Sequence, residues 1–383
     1  MIKEMKKLRT AQLRTWVEID KKAIAYNYRL FRKFIGPKVR LMGVVKSNAY
    51  GHNLIEYSRE LEGLGVDWFG VDSITEGLAL REAKIRDPIL VLGHVLPSML
   101  SEACKKNISV TISSFTMLKA ALSVSTQKSS LAVHVKVDTG MHRQGFQLHE
   151  QKALLEMLKK NKKIRVEGLY THFAEAKNPR SGDATRRQIA EFEAWIKIFQ
   201  EAGFAPIVHA SATGGTLLYP KAHFDMVRVG IGLYGLWPSE EAKQYLQHRL
   251  TLKPVLSWKG IVSEVKEVKK GERVGYDFTE MLMRNTRLAV IPIGYWHGFP
   301  RLLSGRGRVL ICGKPARVVG RVSMDMIVVD VTDIPRAKPG DIATIIGKDG
   351  KEEITAGEIA SFAATTHYEI VTRLNPLMMK IYK

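Results

Sequence analysis

Residues 41–92, LMGVVKSNAYGHNLIEYSRELEGLGVDWFGVDSITEGLALREAKIRDPILVL, contain three short apolar runs separated by two longer stretches. The runs Leu41–Val45, Asp67–Val71 and Ile89–Leu92 are bounded by polar or Gly residues, as strands buried on both faces should be. The rhythm continues outward through Ser109–Ile112, Ala132–Val137, Val166–His172, Ile207–Ala210 and Met226–Gly230. Helix-period segments lie between and before them. Lys21–Phe34 carries Ile24, Tyr28, Phe31 and Phe34, and Asp183–Ala202 carries Ile189, Phe192, Ile196 and Phe199 at three- and four-residue steps. Asp183 is placed to cap that second helix and Gly203 to stop it. Alternating strand and helix predicts a parallel sheet. Eight such runs in about 235 residues predict a (β/α)8 barrel, because an open doubly wound sheet would carry a Gly-rich fingerprint after an early strand.

After residue 250 the pattern changes. Lys259–Val268, Leu288–Pro292, Arg308–Cys312, Arg317–Val319, Met326–Val331 and Asp341–Ile346 read as short strands, and KKGERVGYD, GRGRV, CGKPARV and GKDGKE supply hairpin punctuation. Helical pattern returns at Ala356–Ala364. The expected class is therefore α/β: a barrel over 16–250 followed by a mostly-β C-terminal domain over 251–383. A strand within 10–18 is open to pairing with either.

The chain has 383 residues, 45% hydrophobic and 25% charged, which are ordinary globular values. Its 59 Lys plus Arg against 38 Asp plus Glu give a net charge of +21. That excess suits nucleic acid or a membrane surface, and equally an enzyme that holds phosphate and carboxylate groups. No recognition motif of clustered aromatic and basic residues supports nucleic acid. Cys104 and Cys312 are isolated, so neither a disulfide framework nor a zinc site is expected. No apolar run approaches the ~18–20 residues that span a bilayer. The basic start MIKEMKKLRTAQLR is followed by no apolar leader segment, so the expected location is the cytoplasm.

Barrel chemistry gathers at the C-terminal ends of the strands. The first run ends in Lys46, which could form a Schiff base or be a surface lysine. The sixth ends in His172, beside Tyr170. The fifth gives HVKVDTGMHRQGF, with Lys136 on one face with His134 and Asp138, and Arg143 in a Gly-flanked loop suited to clamping a carboxylate. The seventh gives HASATGGTLLY, with Ser211 and Thr213 at the mouth. The eighth puts Arg228 inside an apolar segment, where it needs a partner, ahead of Gly230–Ile231–Gly232, whose backbone N–H groups can approach a phosphate. A lysine near the start and phosphate-cradling groups on the last two strands together suggest a phosphorylated aldehyde cofactor.

VVKSNAYGHN, VKVDTGMHRQGF, EGLYTHF, RVGIGLYG, GYDFT, IGYWHGFPR, GRVSMD and YEIVTRL occur here in the order found in alanine racemases, and the resemblance runs from about Trp16 to Tyr382. It implies a pyridoxal 5′-phosphate (PLP) enzyme that interconverts L-alanine and D-alanine with two bases, supplying D-alanine for peptidoglycan. It implies a homodimer whose active sites lie at the interface. Residue by residue, Lys46 matches the lysine that binds the cofactor covalently and Tyr50 a phosphate contact. His172 matches the residue against the pyridine ring, and Arg228 the partner of its nitrogen. Gly230 and Ile231 match backbone phosphate ligands, and Tyr368 a second tyrosine there. Thr213 falls where the family usually has Ser, after Ala212 in place of Asn. Arg143 matches a residue near the substrate carboxylate, and Lys136 one that is often carbamylated and pairs with that arginine. Tyr276 resembles the second acid/base, drawn in the family from the partner subunit. Tyr295, Met324 and Asp325 resemble residues lining the access route and binding carboxylate. No metal is implied. Departures from the pattern are His142 for Gly, His297 for Asp, and Leu377 and Lys380 for Arg. A serine or broad-specificity racemase is the alternative, since pocket volume is not legible in sequence. A decarboxylase on a similar barrel fits less well because of Tyr276 and VSMD, and a non-catalytic PLP-binding regulator would need no β domain.

Overall fold

The computed structural model describes residues 12–124, 130–161, 163–180 and 182–383. They form two compact units. One comprises Lys22–Ala49 and Leu54–Pro254; the other comprises the described residues through Lys21, Tyr50–Asn53 and Val255–Lys383.

Strand β1 (Thr15–Ile19) belongs to the second unit. In the first, β2 (Arg40–Val44), β3 (Trp68–Val71), β4 (Ile89–Val91), β5 (Ser109–Ile112), β6 (Leu131–Lys136), β7 (Ile164–Tyr170), β8 (Ile207–Ala212) and β9 (Met226–Val229) form a closed parallel barrel. Closure is made by β2 on β9, in the register Leu41↔Val227 and Gly43↔Val229. The eight apolar runs are these strands, because both faces of each are covered and continuous Val/Ile/Leu runs result. The helix Lys21–Ile35 buries Ile24, Tyr28 and Phe31, and Asp183–Glu201 buries Phe192, Trp195 and Phe199. Asp183 is the first residue of its helix rather than the cap, which is Gly182; its carboxylate pairs with Arg186 one turn on. Gly203 follows the helix end at φ +86°, the left-handed stop.

The barrel is not apolar throughout. His134 on β6, His209 on β8 and Arg228 on β9 are buried inside it. Gly168 on β7 makes room for them: a Cβ there would lie 2.0 Å from His134 Nδ1. Gly168→Ala is expected to destabilise the protein by about 1–3 kcal/mol through overpacking, read as a lower urea midpoint at unchanged m-value. An unchanged midpoint would show that the His134 ring can yield.

The second unit is mostly β. Its further strands are β10 (Leu256–Ile261), β11 (Glu264–Val268), β12 (Arg273–Val274), β13 (Glu280–Met281), β14 (Thr286–Ile291), β15 (Arg308–Ile311), β16 (Lys314–Val319), β17 (Ile327–Asp330), β18 (Ile342–Asp349), β19 (Glu352–Ile354) and β20 (Met379–Tyr382). The main sheet runs β11-β14-β17-β16-β15-β18-β10-β1-β20, with β19 on β18, while β12 and β13 form a separate ribbon. The single strand expected over Lys259–Val268 is two. Val262 N–H bonds Asp341 O and Ser263 N–H bonds Val290 O, which hands the chain from one ladder to the next. Of the stretch 10–18, Thr10 and Ala11 lie outside the described residues. β1 pairs antiparallel with β10 and parallel with β20. A helix at His367–Thr372, beyond the expected Ala356–Ala364, also belongs to this unit.

After β2 the chain makes an uncommon turn. Ser47, Asn48, Ala49 and Tyr50 all have φ between 51° and 55°, a full left-handed turn that costs L-residues about 1–2 kcal/mol each. Asn48 braces it: its Oδ1 accepts from Leu54 N–H at 2.9 Å and its own N–H donates to Glu76 Oε1 at 3.1 Å. The next residues are fixed within the second unit. Tyr382 donates its hydroxyl to His52 O at 2.6 Å, and a Cβ on Gly51 (φ +84°) would meet Val371 O at 2.0 Å.

Candidate active site

The C-terminal ends of the barrel strands carry a concentration of positive charge. Lys46 follows β2 after Val45, and its Nζ lies 3.3 Å from Asp72 Oδ1. Lys136 ends β6 and is buried; its Nζ donates to Gln144 Oε1 at 3.3 Å. Burial first, then the nearby Arg143 and Arg228, bring the Lys136 amine down to about 8. Arg143 follows in the loop whose start is organised by Asp138, a carboxylate accepting from the N–H groups of Gly140, Met141 and His142 at 3.0 Å each. His142 sits at φ +54°, a conformation in which Gly is at ease.

Arg228 is 3% exposed. Its Nη1 donates to His209 Nδ1 at 2.8 Å, and its Nη2 lies within reach of Thr171 O, Ala210 O and, at 3.1 Å, His172 Nδ1. Burial lowers the guanidinium to about 10, so it stays cationic at neutral pH. His172, just beyond β7, is held well below the ordinary histidine range, first by burial and then by Arg228, Arg143, Lys136 and Lys46. Four cations thus bear on one neutral imidazole. Thr213 opens the short helix Thr213–Leu218 and its hydroxyl accepts from Gly230 N–H at 3.2 Å and Gly232 N–H at 3.3 Å. Ile231 between them is buried.

Other expected site residues lie in the second unit. The rings of Tyr50 and Tyr368 are 6.3 Å apart, and burial followed by Tyr50 pushes the Tyr368 phenol far up. Tyr276 is at the tip between β12 and β13 and is 69% exposed, next to the left-handed pair Asp277–Phe278; Asp277 pairs with Arg321 at 3.0 Å. Tyr295 is joined to the Ser323–Asp325 turn, since Tyr295 N–H bonds Ser323 O and Trp296 N–H bonds Met324 O. His297 is buried below them, its Nδ1 accepting from Gly294 N–H at 3.2 Å and lying 4.0 Å from Asp325. Leu377 is exposed, and Lys380 donates to Asn375 O at 2.8 Å, with burial lowering its amine to about 8.

The structure therefore gathers Lys46, Lys136, Arg143, His172, Thr213, Arg228, Gly230 and Ile231 at the barrel, Tyr50 with Tyr368, and Tyr295 with Met324 and Asp325. Sequence reasoning passed over His209 and Glu167, which join His134 beneath Arg228; single polar residues inside apolar runs gave no stronger signal. This donor set fits a phosphorylated, carboxylate-bearing ligand. It offers several cations and hydroxyls, and its nearest carboxylates, Asp72 and Asp138, are already engaged. Among the described residues no three His, Cys, Asp or Glu side chains form a metal cluster.

A lysine beside an anion-holding mouth on a (β/α)8 barrel, with a β-sheet unit after it, defines a class of cofactor-dependent barrel enzymes. Comparison with known proteins narrows it. The model of the alanine racemase N-terminal domain matches residues 19–238, and that of the alanine racemase C-terminal domain matches 255–382. The chain belongs to the alanine racemase family. It is 40% identical to the alanine racemase of Syntrophobacter fumaroxidans over 357 residues, covering 93% of this chain and 94% of that one. With the alanine racemase of Methanococcus maripaludis it shares 38% over 372 residues, 96% and 98% of the two chains. The crystal structure of alanine racemase from Bacillus anthracis with bound L-Ala-P superposes with a TM-score of 0.91 at 33% identity, covering 97% and 95%. That from Bartonella henselae, with covalently bound pyridoxal phosphate, gives 0.87 at 28%, covering 97% and 100%.

Proposed function

We infer that this chain is a PLP-dependent alanine racemase, an isomerase that interconverts L-alanine and D-alanine. The observation that carries this reading is the gathering of Lys46, Lys136, Arg143 and Arg228 at the strand ends around His172, with Arg228 Nη2 3.1 Å from His172 Nδ1. When bound, PLP supplies the electron sink that makes the α-proton of an amino acid removable. Inversion needs a proton taken from one face and returned to the other, so two groups are required. Lys46 Nζ holds the cofactor and serves one face; the Tyr276 phenol serves the other. Arg228 would hold the cofactor at its ring nitrogen, and because a guanidinium only donates, that nitrogen would be met as an acceptor and supplied with no proton. Arg143 holds the substrate carboxylate. Tyr50, Thr213, Gly230, Ile231 and Tyr368 hold the phosphate, while Tyr295, Met324 and Asp325 line the access route. Supporting a second copy of the chain as the source of Tyr276, that residue is exposed together with Phe278, Met281 and Met283. Homodimers of C2 symmetry are the commonest way to cover such a face. We place the reaction in the cytoplasm, where D-alanine supplies peptidoglycan; among the described residues no helix is long and apolar enough to cross a membrane.

The deciding experiment is racemisation of a panel of L-amino acids by the PLP-loaded protein. Alanine as the preferred substrate is the expected result. Serine turned over equally well would favour a broad-specificity racemase, and no inversion of any amino acid would sink the reading.

Lys136 has the chemistry for carbamylation. The neutral amine attacks carbon dioxide and loses a proton, which replaces a cation beside Arg143 with an anion. Its amine is below the usual lysine range, so at fixed dissolved carbon dioxide carbamate occupancy should rise as pH passes about 8. Carbon-13 NMR under labelled carbon dioxide should show one carbamate signal that Lys136→Ala abolishes. A signal that survives the substitution would refute the assignment.

A further inference from the structure

Arg228 is buried, yet its hydrogen-bond partners are two imidazoles and two carbonyls, with the Tyr170 ring 5.2 Å from its guanidinium. The carboxylate belonging to this charge lies further along. His209 Nδ1 is 2.8 Å from Arg228 Nη1, His209 Nε2 is 2.8 Å from His134 Nδ1, and His134 Nε2 is 3.4 Å from Glu167 Oε2. Glu167 also accepts from Ser109 and from Arg165, whose guanidinium is half exposed.

Only one proton arrangement suits this line. A guanidinium donates and never accepts, so His209 Nδ1 is bare. A neutral His209 then carries its proton on Nε2 and donates to His134 Nδ1. His134 must in turn carry its proton on Nε2, aimed at a carboxylate that only accepts. Every proton points from Arg228 toward Glu167, the last across a 3.4 Å electrostatic contact that falls short of a hydrogen bond. Burial keeps both imidazoles neutral. At the far end, burial would raise Glu167, but the approach of His134, the bond from Ser109 and the charge of Arg165 hold it at about 2, so it stays ionised. Rotation of either ring is resisted by packing. Tyr170 lies parallel on His209 at 4.7 Å, and the Trp68 ring meets His134 edge-on at 5.2 Å. The same donor logic at Arg228 Nη2 leaves His172 Nδ1 bare.

We propose that Glu167, His134 and His209 form a one-directional line, two hydrogen bonds closed by the electrostatic approach of His134 to Glu167, that holds Arg228 in place beneath the reaction site, making Glu167 and His134 positioning residues for racemisation. Its catalytic consequence rests on the proposed role of Arg228; the proton arrangement does not. Partners at this remove typically cost about 10–100-fold when removed from comparable sites.

The test combines nitrogen-15 NMR of the histidines in the full chain, with and without PLP, and racemisation kinetics. In the wild type both His209 and His134 are expected to be protonated on Nε2 alone. Glu167→Gln, which keeps an acceptor oxygen but not the charge, should retain these tautomers and lower kcat severalfold with little change in KM. Glu167→Ala should keep the tautomers that Arg228 dictates and lower kcat by about 10–100-fold. A proton on His209 Nδ1 in the wild type would overturn the line whether or not the protein racemises alanine. A folded Glu167→Ala protein with unchanged kcat would overturn the positioning role. If the Ala protein does not fold, an unchanged kcat in Glu167→Gln overturns the positioning role.

Discussion

Lys46→Ala should yield a colourless protein after incubation with PLP, with racemisation reduced by about 10^4-fold or more, as when a covalent catalyst is removed elsewhere. The fold should survive. Lys46 makes a partly exposed pair with Asp72 at 3.3 Å, of a kind worth under about 1 kcal/mol, so the unfolding midpoint should hardly move. That separation is the useful part of the experiment, because loss of colour at unchanged stability cannot be blamed on misfolding. A yellow Lys46→Ala protein would place the covalent link on another amine and remove the basis of the functional reading.

Tyr276→Phe should behave differently. The cofactor stays bound and the colour remains, while racemisation falls by about 10^3-fold through loss of one proton carrier. Exchange of the α-proton with heavy water should persist for the enantiomer that Lys46 serves and vanish for the other. Tyr276 is 69% exposed at the β12–β13 tip, so loss of its hydroxyl should leave stability unchanged. Co-expression with Lys46→Ala extends the test to the assembly. If each tyrosine serves the partner's lysine, random pairing makes half of the dimers mixed, each with one intact site, and about a quarter of wild-type activity returns. No recovery in demonstrably mixed dimers would put both groups on one chain. A Tyr276→Phe enzyme that racemises normally would refute the two-base assignment.

The barrel was legible because its strands are covered on both faces, which writes each one as an unbroken apolar run. Lys46, His172 and Arg228 stood out because each ends or interrupts such a run. The line under Arg228 did not. His209 in IVHASA and Glu167 in VEGLY are single polar residues whose partners are supplied by other strands, and no spacing along the chain announces that. The left-handed turn at Ser47–Tyr50 was hidden for a related reason. Within it only Asn48 has a residue type that such geometry tolerates well, and the bracing comes from Asn48 and from Glu76 across the fold. In the second unit, β20 escaped notice because MKIY is four half-buried residues with no apolar run. The break at Val262–Ser263 is set by two receiving ladders, which the sequence of the strand does not contain.

One unit of this protein is threaded through the whole chain, taking β1 and residues 50–53 from the beginning and everything after Pro254 from the end. The bond from Tyr382 to His52 spans 330 positions. Synthesis on the ribosome runs in one direction, so β1 gains β10 only after residue 261 has emerged, and it gains β20 only after residue 382. Loop closure over such distances makes folding slow. For this part of the molecule, completion of folding has to wait for synthesis of residue 382, and a nascent chain stalled before residue 371 lacks the backbone against which Gly51 is packed.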